Sequence, residues 1–242
     1  MNECFGVTLD QYIYYGGYPG AAFLYDDLDR FRQYIQSSII DATINKDILM
    51  DTPISKPALL RQTFELGAAY SGNLLSLNKM QDAGNAATLA GYINLLNESG
   101  LLCGLQKFGV DMARRRASIP KLQVYNNALK TLYSPLSFEQ AIADRKAWGH
   151  IFESGVGAYL ICQAFAGRFE VFYWREKNDE VDFVLRKNEA VVAIEVKSNA
   201  EKCTTGLDKF RRCFNPQAAF VVGDGGIGAE EFFSMDLNGL LR

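Results

Sequence analysis

The chain has little of what usually fixes a function class at sight. Its 242 residues include one histidine, five cysteines and six prolines. The cysteines (Cys4, Cys103, Cys162, Cys203, Cys213) are odd in number, form no Cys-x-x-Cys pair and are scattered through apolar or helical patterns, so they read as reduced bystanders and no disulfide is expected. No apolar run approaches the roughly 18 residues that a membrane span needs, and the amino terminus lacks a basic-then-apolar secretion signal. The expectation is a cytoplasmic protein with no membrane partner. There is no Gly-x-x-x-x-Gly-Lys-Ser/Thr, no internal repeat and no low-complexity tract. A net charge of −3 gives no global attraction to nucleic acid, so any such contact must come from a local basic patch.

About half the residues are apolar and under a quarter are charged, a composition that builds buried cores. The length favours two or three compact units. The first, residues 1–55, holds the turn Gly16-Gly17-Tyr18-Pro19-Gly20 and a helical pattern from Asp26 to Met50. In it Leu28, Phe31, Ile35 and Ile39 recur at three and four residues, and Pro53 and Pro57 end it. The second, residues 56–133, reads as helices over Ala58–Gly72, Ser76–Gln81 and Asn85–Ser99, then a hairpin-length stretch to Val124. That is the order of a winged helix-turn-helix. Leu89, Tyr92, Ile93 and Leu96 make the inward face of its third helix. The third, residues 134–242, begins with a long helix over Ser137–Phe165 and continues with strands at Phe169–Trp174, Glu180–Arg186 and Ala190–Lys197. A helix at Lys202–Phe214 and a strand at Ala218–Val222 follow. The expected fold is thus a multidomain α+β or α/β protein whose last unit runs α-β-β-β-α-β.

The chemistry concentrates in the hairpin from Glu180 to Lys197. A two-residue turn at Asn188-Glu189, which Asn favours because it tolerates positive φ, pairs Lys187 with Ala190. The register then sets Asp182 opposite Glu195 and Glu180 opposite Lys197, with all four on one face. Val181, Phe183, Leu185, Val192, Ile194 and Val196 make an apolar face behind them. Two facing carboxylates repel unless something positive lies between them, and Mg²⁺ commonly takes one or two protein carboxylates. Lys197 is placed to serve an attacking water or to stabilise phosphate charge, and Glu153 on the preceding helix adds a further oxygen.

Glu153, Asp182 and Glu195-Val-Lys197 resemble the motif of PD-(D/E)xK phosphodiesterases, which share a restriction-endonuclease-like core. The resemblance implies Mg²⁺ or Mn²⁺ bound by Asp182, Glu195 and Glu153, with Asp182, Glu195, Lys197 and Glu153 as catalytic residues cutting nucleic acid. More broadly, Gly16-Gly17-Tyr18-Pro19, Lys46-Asp47-Ile48, Thr88-x-x-x-Tyr92-Ile93, Gly149-His-Ile-Phe-Glu153, Tyr173-Trp-Arg175, Glu180-Val-Asp-Phe183 and Ile194-Glu-Val-Lys197 are similar to the carboxyl-terminal portion of a bacterial and archaeal AAA-type ATPase family. The final domain of that family is nuclease-like and of unknown function. This resemblance implies that residues 1–55 are a remnant of an ATPase lid. Without a P-loop no ATP hydrolysis is expected, and Tyr125-Asn-Asn127 departs from the tyrosine and aspartate usual there.

Nucleic-acid contacts are assigned to Arg114, Arg115, Arg116 and Lys107, in a basic stretch that closes with Lys121, and to Arg175. DNA is favoured over RNA. The plainer alternative for the acidic face is a solvated sheet with a Glu180–Lys197 pair. For Arg175 it is an ion pair with Glu176 or Glu180, and for the lone His150 a structural or capping place. Gly223-Asp-Gly-Gly-Ile-Gly228 reads as a turn, because too little chain follows it for a dinucleotide fold. Two functions remain open: a Mg²⁺-dependent nuclease-like domain, or a non-catalytic DNA-binding or partner-binding module serving an ATPase supplied elsewhere.

Overall fold

In the computed structural model the described residues are 2–74, 86–109, 111, 118–198 and 205–242. The expected Ser76–Gln81 helix, the Asn85 cap, Arg114, Arg115, Arg116 and Cys203 lie outside them. After a turn of helix α1 (Asn2–Phe5), helix α2 (Leu9–Tyr15) starts on a Thr8 capping box closed by Gln11. The helix expected from Asp26 begins on an Asp27 cap as α3 (Leu28–Tyr34). It runs on through π-helical turns over Ile35–Asp41 and Thr43–Ile48 to α4 (Leu49–Asp51). The wider turns move the buried stripe by one residue, so that Phe31, Ile35, Ile40, Ile44 and Ile48 are buried and Ile39 is only partly so.

Pro57 does not merely end the preceding segment. Its fixed φ and missing N–H suit the first position of α5 (Pro57–Ala69). Helix α6 (Ala86–Glu98) buries Leu89, Tyr92, Ile93 and Leu96, as its spacing requires. Gly100 follows at φ 68°.

Strands β1 (Leu102–Lys107) and β2 (Lys121–Val124) form the expected hairpin, with Leu102 facing Val124 and Leu105 facing Lys121. The hairpin is not a separate wing, however. β1 pairs in parallel with β3 (Glu170–Glu176) at Gln106–Phe172 and Lys107–Tyr173, so the hairpin forms one edge of a six-stranded mixed sheet ordered β2-β1-β3-β4-β5-β6. The molecule is thus a mixed α+β fold in which chain from both halves builds one sheet.

Between the halves lie the short α7 (Ala128–Thr131) and α8 (Phe138–Ala143). The single helix read over Ser137–Phe165 is broken before α9 (Arg145–Gly167), because Asp144 takes an extended conformation and accepts the Lys146 and Ala147 amides. Strands β3, β4 (Asp179–Lys187) and β5 (Ala190–Lys197), helix α10 (Thr205–Phe214), strand β6 (Ala218–Gly223) and α11 (Ala229–Phe233) complete the order. Asn188 turns the β4–β5 hairpin at φ 54°, and the ladder runs from Lys187–Ala190 to Phe183–Ile194 as expected.

Both sheet faces are covered. Phe183, Leu185, Val192 and Ile194 join the main core with Ile151, Phe152, Val156 and Leu160 of α9. Phe172, Trp174, Val181, Val184 and Ala193 form a second core with Leu207 and Phe210 of α10. Val181 and Phe183 therefore lie in different layers, which an unbroken strand forbids. The cause is a β-bulge, where the β3–β4 register shifts between Phe172–Val184 and Trp174–Val181. The expectation of a flat strand with Val181 and Phe183 on one apolar face is corrected accordingly.

Candidate active site

The bulge falls on Asp182. On β3 a single residue, Tyr173, spans the interval that Asp182 and Phe183 occupy on β4, and this re-aims the Asp182 carboxyl. Beyond the last ladder pair, Asp182 Oδ2 accepts the backbone N–H of Val196 at 2.8 Å. Its other oxygen, Oδ1, is 3.4 Å from the ammonium of Lys121.

Lys121, the first residue of β2, closes a basic stretch in the sequence that reads as surface. It is instead 5% exposed and turned inward. Its Nζ donates to Glu153 Oε1 at 2.6 Å and to the Asp182 carbonyl at 3.2 Å, and it lies 4.5 Å from the centre of the Phe183 ring.

Glu153 is delivered by α9, which is pinned at the next residue, Ser154, to β2 and to the end of α5. Gln123 Nε2 donates to the Ser154 carbonyl at 2.9 Å, and the Ser154 and Ser71 hydroxyls meet at 2.8 Å. One turn on, Gly157 lets the helix approach so closely that a Cβ there would lie 2.1 Å from Gln123 Oε1 and 2.8 Å from Phe183 Cζ. The packing that brings α9 onto the sheet is therefore what holds Glu153 against Lys121.

Electrostatics divide the cluster into two halves that share Asp182. Burial, then the charge of Asp182, push the Glu153 carboxyl up to about 7 against the pull of Lys121. Burial works to lower the Lys121 ammonium, but Glu153 and Asp182 outweigh it and keep the lysine charged. On the β5 side, burial and again Asp182 push the Glu195 carboxyl up to about 8, opposed by Lys197. Lys197 is 3% exposed. Glu195 Oε2 is buried without a hydrogen-bond partner.

The acids outnumber the buried lysines, and on top of burial this crowding raises Glu195 further than Glu153, so that it holds its proton near neutral pH. Glu180 adds to the crowding, although its carboxylate also faces Arg175 at 4.0 Å with both side chains about half exposed. A cleft of 310 Å³ opens on the Lys121 side, lined among others by Lys121, His150, Glu153, Arg175, Glu180 and Asp182. Lys107 pairs within the sheet beside Tyr173.

Among the described residues no group of three or more His, Cys, Asp and Glu side chains is arranged to hold a metal ion. Glu153 is engaged by Lys121, which leaves Asp182 and Glu195 as the donor set. Two carboxylates, one with an orphaned buried oxygen, fit a hard divalent cation that completes its shell with water.

Besides Lys121, the sequence reading missed Lys130. It is buried, bonded to the Ser71 carbonyl at 2.6 Å, and pushed down to about 8 by burial. It lines a neighbouring cavity of 460 Å³ that shares Asn73, Leu74 and His150 with the cleft. Cys4, Cys103, Cys162 and Cys213 are free, and no helix among the described residues is long and apolar enough to cross a membrane.

Two family models match this architecture. Residues 7–139, more than half the chain, match a domain of unknown function (DUF8612), and the chain belongs to that family. Residues 148–230, which carry α9 through β6 and so every acid of the cluster, match a second domain of unknown function (DUF4143), typical of the carboxyl-terminal regions of AAA-type ATPases. No curated protein and no solved structure matches the chain significantly.

Proposed function

We propose that the chain is a nuclease-like protein that hydrolyses phosphodiester bonds of nucleic acid with the help of Mg²⁺ or Mn²⁺. The observation that carries this reading is Asp182 bonded to the Val196 amide next to Glu195, whose own Oε2 is buried and unpartnered, with Lys197 two residues on. An ion held by Asp182 and Glu195 would supply Lewis-acid charge toward a phosphate. Lys197 then orients the attacking water at its Nζ and stabilises charge on the phosphate oxygens. Glu153, clamped by Lys121, holds the far wall of the cleft in place. Arg175, half exposed at the cleft, meets a flanking phosphate.

The succession α9-β3-β4-β5-α10-β6 agrees with a restriction-endonuclease-like core. In the same reading, α5, α6 and the β1–β2 hairpin are a winged-helix portion whose hairpin is engaged by the sheet. Arg114, Arg115 and Arg116 belong to its DNA-contacting stretch by sequence. The test is cleavage of single- and double-stranded DNA and RNA with Mn²⁺, comparing wild type with Glu195→Ala. Cleavage lost in the variant supports the proposal, whereas no cleavage by wild type removes it.

A second reading, a non-catalytic module that binds nucleic acid or an ATPase partner, is favoured by one observation. Lys121 already sets a cation against both Glu153 and Asp182 from within the fold. It requires salt-sensitive binding without metal-dependent turnover.

A further inference from the structure

The buried acids are met by a cation that the protein itself supplies. Lys121 comes from β2, Glu153 from α9 and Asp182 from the bulge in β4, three elements that are distant in sequence. The two contacts of the ammonium differ. Glu153 Oε1 is at 2.6 Å, a strong charge-assisted bond, while Asp182 Oδ1 at 3.4 Å is a weak one. Asp182 is also tied to the strand that carries Glu195, its Oδ2 accepting the N–H of the next residue, Val196, at 2.8 Å. An ammonium resting on one side of Asp182 therefore opposes any divalent charge approaching from the Glu195 side.

We propose that Lys121 is a built-in competitor of the metal: a positioning residue that is parked on Glu153, leans on Asp182, and sets how tightly Asp182 and Glu195 bind a divalent cation. The inference rests on the metal-dependent reading above and adds to it. Removing the ammonium does two things in the same direction. It lifts the repulsion, and it frees Glu153 to contribute an oxygen. Removing the Glu153 charge does the opposite, because the ammonium keeps only a neutral amide acceptor there and leans further onto Asp182. The two substitutions must therefore change metal affinity with opposite signs, although each breaks the same buried pair.

The experiment is calorimetric titration of Mn²⁺ into the full chain, backed by Mn²⁺ electron paramagnetic resonance, for wild type, Lys121→Met and Glu153→Gln, with Glu195→Ala as control. Lys121→Met is expected to bind Mn²⁺ about tenfold more tightly than wild type and Glu153→Gln about tenfold more weakly. Should Lys121→Met not fold, Glu153→Gln still decides, because weakening is required of it. Unchanged affinity, or shifts of the same sign in both folded variants, overturns the role given to Lys121 while leaving the metal site standing. Absence of Mn²⁺ binding in both wild type and folded Lys121→Met overturns the metal reading and this inference together.

Discussion

Asp182 and Val196 are joined across two strands by a side chain, the Oδ2 of one accepting the backbone N–H of the other at 2.8 Å, where ladder pairing has stopped. This bond stands in for a missing rung, and it commits Asp182 to a position between Lys121 and the strand that carries Glu195. Asp182→Ala should cost about 1–3 kcal/mol in urea unfolding, since it leaves a backbone donor unpaired and removes a partner of a buried ammonium. Asp182→Asn retains an acceptor and should cost less. Equal costs for the two would mean that the bond to Val196 contributes nothing.

Stability should depend on pH through Glu195 and Glu153. A carboxyl whose folded-state pKa is raised keeps its proton in the native state where the unfolded chain has already released it. Stability therefore declines as pH climbs from the ordinary carboxylate range, about 4.3, toward about 7 for Glu153 and about 8 for Glu195. Thermal melts in a metal-free buffer should show the midpoint falling across this window. Glu195→Gln, with no proton to release, should flatten the upper part of the slope. A midpoint that rises with pH would contradict the burial of these acids.

The α10 face of the sheet should be as costly to disturb as the main core. Phe210 is fully buried and meets Trp174 at 5.5 Å, Phe108 at 5.6 Å and Phe214 at 4.7 Å between ring centroids. Phe210→Ala should destabilise by about 3–5 kcal/mol, as large-to-small changes in tight cores do. Gly206→Ala should also destabilise, by about 1–3 kcal/mol, because a Cβ there would lie 2.1 Å from the Glu180 carbonyl oxygen. Chemical denaturation that finds either change neutral would place α10 away from the sheet.

Arg175 separates binding from stability. Its contact with Glu180 is long and half exposed, so Arg175→Ala should leave the unfolding free energy within about 0.5 kcal/mol. If the side chain meets a phosphate, the same change should weaken nucleic-acid binding and reduce the slope of log affinity against log salt by about one. An unaltered slope would assign Arg175 to the ion pair alone.

Much of the local structure was legible in the sequence. Alternation and Asn188 gave the β4–β5 register down to its end, and apolar spacing gave the helix that begins at Leu28 and the buried face of α6. The acids of the site came from the same pattern. The illegible part was long-range. Val181-Asp-Phe183 alternates as any strand does, and only pairing with β3 reveals that it bulges. Lys121 reads as surface charge until β1 pairs in parallel with β3 and swings the hairpin beside α9, a contact with no local signature. Asp144 carried a usable sign, an N-cap residue inside an apparently continuous helix, which the apolar periodicity overrode.

The most direct test is a crystal grown with Mn²⁺ and measured for anomalous scattering. One peak touching both the Asp182 and Glu195 carboxylates, with Lys121 retained on Glu153, is the result this account predicts. A density map with no peak there, and with the two carboxylates turned away from each other, would contradict it.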